Sequence, residues 1–82
     1  MLPIRAIKKI IANDDYTLTV MFFDGKVKLF DMKPQIEKYE VFKPLENRTL
    51  FKKATADGGA VIWNEDIDIA QEFVYDHGVD IK

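Results

Sequence analysis

Any chemistry in this 82-residue chain has to come from a narrow set of side chains. It contains no serine and no cysteine, and His77 is its one histidine. A nucleophile would have to be Thr17, Thr19, Thr49 or Thr55, with His77 as its general base and a carboxylate such as Asp76 or Asp80 to orient the ring. Against this, His77 falls on the apolar side of the last predicted helix, near its C-terminus. There a histidine serves as a partly buried or capping residue whose positive charge suits the helix end. No catalytic residue is assigned. Asn64, Glu65, Asp66 and Asp68 are hard oxygen ligands close together. They lack the fixed offsets and central glycine of a calcium loop, so the reading preferred is helix capping by Asp66 and Asp68 with Glu65 solvated. Gly58-Gly59 precedes a strand and lacks the lysine and hydroxyl of a phosphate loop, which makes it turn chemistry. No metal and no cofactor is expected.

Binding offers more. Lys38, Lys43, Arg48, Lys52 and Lys53 form a basic middle, and Lys26 and Lys28 share one predicted sheet face with Phe23, an arrangement that can stack on bases and hold phosphates. Yet the net charge is −2. Residues 1–53 hold eleven cations against seven acids, or +4, whereas residues 54–82 hold one cation against seven acids, or −6. Nucleic acid is therefore ranked below protein contact. The asymmetry can mark an interaction surface, but mutual neutralisation of the two halves is the reading preferred.

These residues need elements to position them. Ile4 to Ala12 reads as a strand whose alternation Lys8 and Lys9 break, which predicts a bulge or an edge. Asn13-Asp14-Asp15 is a turn. Tyr16 to Phe23, Asp24-Gly25 and Lys26 to Phe30 read as a hairpin with a two-residue type I′ turn. That register sets Phe22 opposite Val27 and Val20 opposite Leu29. Leu18, Val20, Phe22, Val27 and Leu29 then face the core, and Thr17, Thr19, Met21, Phe23, Lys26, Lys28 and Phe30 face the other way. Asp31 caps a short helix with Pro34 in its first turn and Ile36 and Tyr39 inward. Pro44 stops helix in the following connector, and Asn47 caps a second helix, Arg48 to Ala54, with Leu50, Phe51 and Ala54 on its apolar side. Thr55–Asp57 and Ala60–Trp63 flank Gly58-Gly59 as a second hairpin. Asp68, with Gln71 three residues on, opens a last helix with an inward stripe of Ile69, Ala70, Phe73, Val74 and His77, ended by Gly78.

The fold class is thus α+β: one domain, residues 1–82, with a small antiparallel sheet (an N-terminal three-stranded meander plus a second short hairpin) and two or three short helices. Met21, Phe23, Phe30, Lys26 and Lys28 form the candidate interaction surface, although cover of Met21, Phe23 and Phe30 by a later element is the reading preferred in so small a fold, with Trp63 either part of that surface or the main core anchor.

The order and spacing of several motifs go further. They are the Phe-x-Asp-Gly-x-Val hairpin, Phe30-Asp31-Met32-Lys33-Pro34, Val41-Phe42-Lys43-Pro44-Leu45, Leu50-Phe51-Lys52-Lys53-Ala54, Gly58-Gly59-Ala60-Val61-Ile62-Trp63 and Asp66-Ile67-Asp68. Together they resemble the uncharacterised bacterial family catalogued as domain of unknown function 2442 (DUF2442), over nearly the whole chain. The resemblance implies a compact α+β fold and no established activity. Some relatives carry a helix-turn-helix DNA-binding domain and some are encoded beside another small protein, which implies a regulatory or sensor-like role. This chain is expected to have no such extra domain.

The absence of cysteine means no oxidising compartment is required, and no apolar run reaches membrane-spanning length, so a cytoplasmic location away from membranes is expected. The sequence specifies no biochemical activity. The favoured reading is a non-enzymatic protein-interaction or regulatory module with an unknown protein partner or a second copy of itself. A nucleic-acid-binding accessory protein comes next, and a small metal- or carboxylate-dependent enzyme last.

Overall fold

Two hairpin loops of the same design organise the first half of the chain. The computed structural model describes residues 6–57 and 59–81; Ile4, Arg5 and Gly58 of the expected elements lie outside them. Strands β1 (Ile7–Ala12), β2 (Thr17–Phe22) and β3 (Val27–Asp31) form an antiparallel meander. The expected irregularity in β1 is present as a register shift between Ile7 and Lys9. In the first loop the Asn13 N–H donates to the Thr17 carbonyl (2.8 Å) and the Tyr16 N–H to the Asn13 carbonyl (3.3 Å). In the second the Phe22 N–H donates to Lys26 (2.9 Å) and the Gly25 N–H to Phe22 (3.1 Å). Each is a three-residue loop whose last residue is left-handed, Tyr16 at φ 64° and Gly25 at φ 92°. In each, the middle aspartate, Asp15 or Asp24, accepts from the backbone N–H two residues on.

The second loop corrects the expected register. A type I′ turn needs positive φ at both central residues, but among the described residues only Tyr16, Gly25 and Gly59 have it, so Asp24 does not. With three loop residues instead of two, Met21 pairs with Val27, Val20 with Lys28 and Leu18 with Phe30. A slip of one residue turns a strand over. Phe30 and Lys28 therefore face the interior beside Leu18, Val20 and Phe22, while Val27 and Leu29 move to the opposite face.

A short helix α1 (Lys33–Lys38), a 3-10 helix (Glu40–Glu46) and α2 (Arg48–Phe51) then cross the interior side of this sheet. Ile36 is buried as expected, but Tyr39 is exposed, because the chain leaves α1 in an extended conformation at that residue. Met32, not Asp31, is the cap residue of α1; Asp31 Oδ1 instead accepts the Lys33 N–H at 3.0 Å. Pro44 is accommodated inside the 3-10 helix. Asn47 caps α2 as its type predicts, its side chain accepting from Thr49 and Leu50.

A second sheet holds β4 (Thr55–Asp57), β5 (Ala60–Asn64) and β6 (Ile67–Ala70) in that order. β6 is a further correction: the spacing of Asp68 and Gln71 predicts a helix start, and the chain is a strand there. Ile67 and Ile69 are buried and Asp68 and Ala70 exposed, the alternation of a half-buried strand. The last helix α3 (Gln71–His77) starts only after it, with no side-chain cap. Gln71 is buried and accepts the Ile7 N–H at 3.3 Å, tying helix to β1. Finally β7 (Val79–Asp80) returns to β3, completing a four-stranded sheet ordered β1-β2-β3-β7. Phe22, Phe51, Leu18, Met32, Leu45, Val20, Val61 and Val74 are fully enclosed between the two sheets and the helices. Each such aliphatic or aromatic side chain contributes about 1.5–3 kcal/mol by leaving water.

Candidate interaction surface

Cross-strand partners in a sheet point to the same face, so the registers define what the four-stranded sheet presents on each side. On the interior side lie Leu18, Val20, Phe22, Lys28 and Phe30. On the other side one row crosses all four strands as Ile11, Thr19, Leu29 and Val79. The next row is Lys9, Met21, Val27 and Ile81, the last joined by its N–H to the Val27 carbonyl at 2.9 Å. Ile11 is 41%, Val79 65% and Ile81 51% exposed, and Met21, Val27 and Leu29 are half-buried beside them. Six of the eight positions are apolar. Phe23 stands at the hairpin tip on the edge of this surface, half exposed.

Of the residues singled out from the sequence, Met21, Phe23 and Lys26 reach solvent, while Phe30, Lys28 and Trp63 are buried. Phe30 left the surface through the register change and meets Phe73 edge-on at 5.9 Å. Trp63 takes its alternative role as core anchor: it stacks on Phe51 at 6.2 Å and its indole N–H donates to the Phe51 carbonyl at 3.1 Å. Sequence reasoning missed Ile11, Val27, Leu29, Val79 and Ile81. Val79-Asp80-Ile81 has strand alternation, but a segment that short reads as the tail of a helix cap.

Lys28 is buried because a specific cage receives it. Its Nζ lies 2.9 Å from Asp80 Oδ1 and 4.7 Å from the centre of the Tyr75 ring. The Tyr75 hydroxyl donates to Asp24 at 2.6 Å, and the ring packs edge-on against Phe22. The hydrogen bond from Lys28 holds the Asp80 carboxyl below its ordinary value, and that from Tyr75 does the same for Asp24. Lys28 and Asp80 come from the basic and acidic parts of the chain, so this pair is one place where the two neutralise each other. Elsewhere in the basic middle, Lys52 pairs with Asp14 at 2.6 Å, Lys43 donates to the Glu37 carbonyl at 3.1 Å, and Arg48 and Lys38 lie over the Tyr16 and Tyr39 rings.

Described residues also line two depressions. One, about 240 Å³, is lined by Tyr16, Lys33, Ile36, Glu37 and Glu46. The other, about 200 Å³ and mostly apolar, lies between Tyr39, Val41 and Phe42 on one side and Ile69 and Phe73 on the other. His77 is exposed rather than inward, its ring 4.3 Å from that of Phe73. Among the described residues, no three histidine, aspartate or glutamate side chains converge as a metal site would require. No described helix is long and apolar enough to cross a membrane.

The model of one protein family, described as a protein of unknown function (DUF2442), matches residues 7–80. The chain belongs to the DUF2442 family. The match runs from β1 to β7, so the Lys28 cage and the open apolar sheet face, except Ile81 at its edge, lie within the matched residues. No curated protein and no solved structure matches the chain.

Proposed function

We propose that this DUF2442 domain is a non-enzymatic module that works by protein contact through the open face of its four-stranded sheet. The observation that carries the reading is the pair of rows Ile11, Leu29, Val79 and Met21, Val27, Ile81, which places apolar side chains from all four strands toward solvent. Leaving such a continuous patch wet is unfavourable, and a protein surface is the usual cover for one. Its make-up, aliphatic residues and Met with a single lysine at one corner and an aromatic at one edge, matches the centre of a protein interface better than a phosphate-binding groove.

Site-specific photocrosslinking tests this directly. A photoreactive amino acid at Val79 or Ile11, in the chain expressed in its native cell, is expected to yield discrete protein adducts. The same group at Glu65, in the loop between β5 and β6, is expected to yield none. Adducts to nucleic acid, or no adduct from the sheet positions, would overturn the reading.

A further inference from the structure

We infer that the occupant of the open sheet face is a second copy of this chain, packed face to face about a twofold axis passing near Thr19. The inference rests on the protein-contact reading above and adds to it the identity and geometry of the partner.

The first argument is charge placement. At one corner of the face stands Lys9, in the row of Met21 and Val27; at the other Asp31 lies opposite Thr17, whose hydroxyl donates to Asp15, so that corner holds two carboxylates against the one cation of Lys33. Lys9 is on β1 and Asp31 on β3, two rows further along the strands, so they occupy diagonally opposite corners around Thr19 on β2. Strands about 4.8 Å apart, with same-face residues about 6.8 Å apart along each, put these corners roughly 17 Å from each other with Thr19 midway. A twofold axis lying between the two sheets through Thr19, perpendicular to that diagonal, brings Lys9 of each copy onto Asp31 of the other. Both ion pairs form at once, which is the self-complementarity that an isologous contact needs. Asp31 is exposed, and both its contacts with Lys33 use Oδ1, leaving Oδ2 to the partner. The same operation lays Leu29 over Met21 and Val27 of the other copy, apolar on apolar. The strands then cross at about 70°, close to the near-orthogonal class of sheet packing.

The second argument is size. Two rows across four strands, with a third on β2 and β3 alone, make a face of about 330 Å² on each partner before the relief of the side chains is counted. With Phe23 and the protruding Val79 and Ile81 included, two copies bury on the order of 1,000 Å², the lower limit for a specific contact. Each copy already encloses its own core. The expected assembly is therefore a reversible dimer of roughly 10–100 µM dissociation constant rather than an obligate one.

Sedimentation of the full chain from about 10 µM to about 1 mM should show a monomer–dimer equilibrium. Lys9→Glu and Asp31→Lys should each weaken it by about fivefold to tenfold at low salt. Mixing the two variants should restore association as a heterodimer, because each then offers the charge the other lost. Because the chain has no cysteine, and sheets stacked face to face lie about 10 Å apart, beyond the span of a direct disulfide, Thr19→Cys should be captured as a dimer by a short bis-maleimide and Glu65→Cys should not. A monomer at every concentration overturns the inference, and so does self-association in which Thr19→Cys and Glu65→Cys cross-link equally or mixing gives no rescue. If the photoreactive Val79 chain meanwhile captures a different protein, protein contact stands and the second copy alone is excluded.

Discussion

Tyr16 occupies in the first hairpin loop the left-handed position that Gly25 occupies in the second. Both loops close with the same pair of backbone hydrogen bonds and the same aspartate acceptor. Glycine takes this conformation freely, whereas a tyrosine pays about 1–2 kcal/mol for its Cβ. The cost is offset at a distance. The Tyr16 ring meets Phe51 edge-on at 5.3 Å, carries the Arg48 guanidinium at 5.5 Å, and its hydroxyl donates to the Glu46 carbonyl. A strained turn residue thereby ties the meander to α2 and the end of the 3-10 helix.

That relationship predicts an inversion of the usual ranking of alanine over glycine. Tyr16→Ala keeps the backbone cost and loses the ring contacts; Tyr16→Gly loses the contacts and relieves the backbone. The glycine variant is expected to be the more stable of the two by about 1 kcal/mol, and Gly25→Ala to cost about the same. Urea midpoints of the three variants against the native chain check this.

Gly78 is constrained by space rather than by φ. A Cβ there would lie 2.8 Å from the Val74 carbonyl oxygen and 3.1 Å from Lys28 Cβ. Gly78→Ala should therefore force β7 away from β3 at a cost of about 1–3 kcal/mol, the usual range for overpacking. Hydrogen exchange should locate the change, with the Ile81 amide, which donates to Val27, losing protection first.

Stability should fall on the acid side. Asp14, Asp15, Asp24 and Asp80 are each held below the ordinary aspartate value of 3.8 by hydrogen bonds, to Lys52, Thr17, Tyr75 and Lys28 respectively. A carboxylate whose pKa is lower folded than unfolded stabilises fully above the unfolded value, and that contribution is lost as pH falls through the folded one. Urea midpoints are thus expected to be level from pH 7 down to about 5 and to drop below about 4, as the unfolded carboxylates begin to take up protons. The drop should be shallower in Asp24→Asn and Asp80→Asn than in the native chain.

Trp63 provides a single-site optical readout of the core. It is buried, stacked on Phe51 and hydrogen-bonded to its carbonyl. Its emission should be blue-shifted in the folded chain and shift red on unfolding. Trp63→Phe should cost about 1–3 kcal/mol, because the Phe51 carbonyl keeps only its longer bond from the Ala54 N–H and the smaller ring leaves space.

How much of this was legible in the sequence depends on the range of the interaction that decides each feature. The bend at Asp24-Gly25 is announced by its residues, yet the choice between two and three loop residues is not. Both are compatible with Asp-Gly, and the difference reverses every side chain of β3. Likewise Asp68 and Gln71 have the spacing of a helix cap, while Ile67 and Ile69 have the spacing of a strand. The strand prevails because pairing with β5 buries both isoleucines. The open face could not be read from the sequence, since it follows from the parity of β3 and from the arrival of Val79 beside Leu29.

The sequence by itself determined where the chain turns, that Asn47 caps a helix, that thiol chemistry is excluded, and which family the chain belongs to. These depend on residue types and on contacts within a few positions of each other. Only the tertiary structure decided which side of β3 is buried, that Lys28 lies inside with Asp80 and Tyr75, and which apolar rows remain facing water. A side chain's direction in a sheet changes with a single residue of register, and the register is set by what the rest of the molecule can enclose, here Phe30 against Phe73.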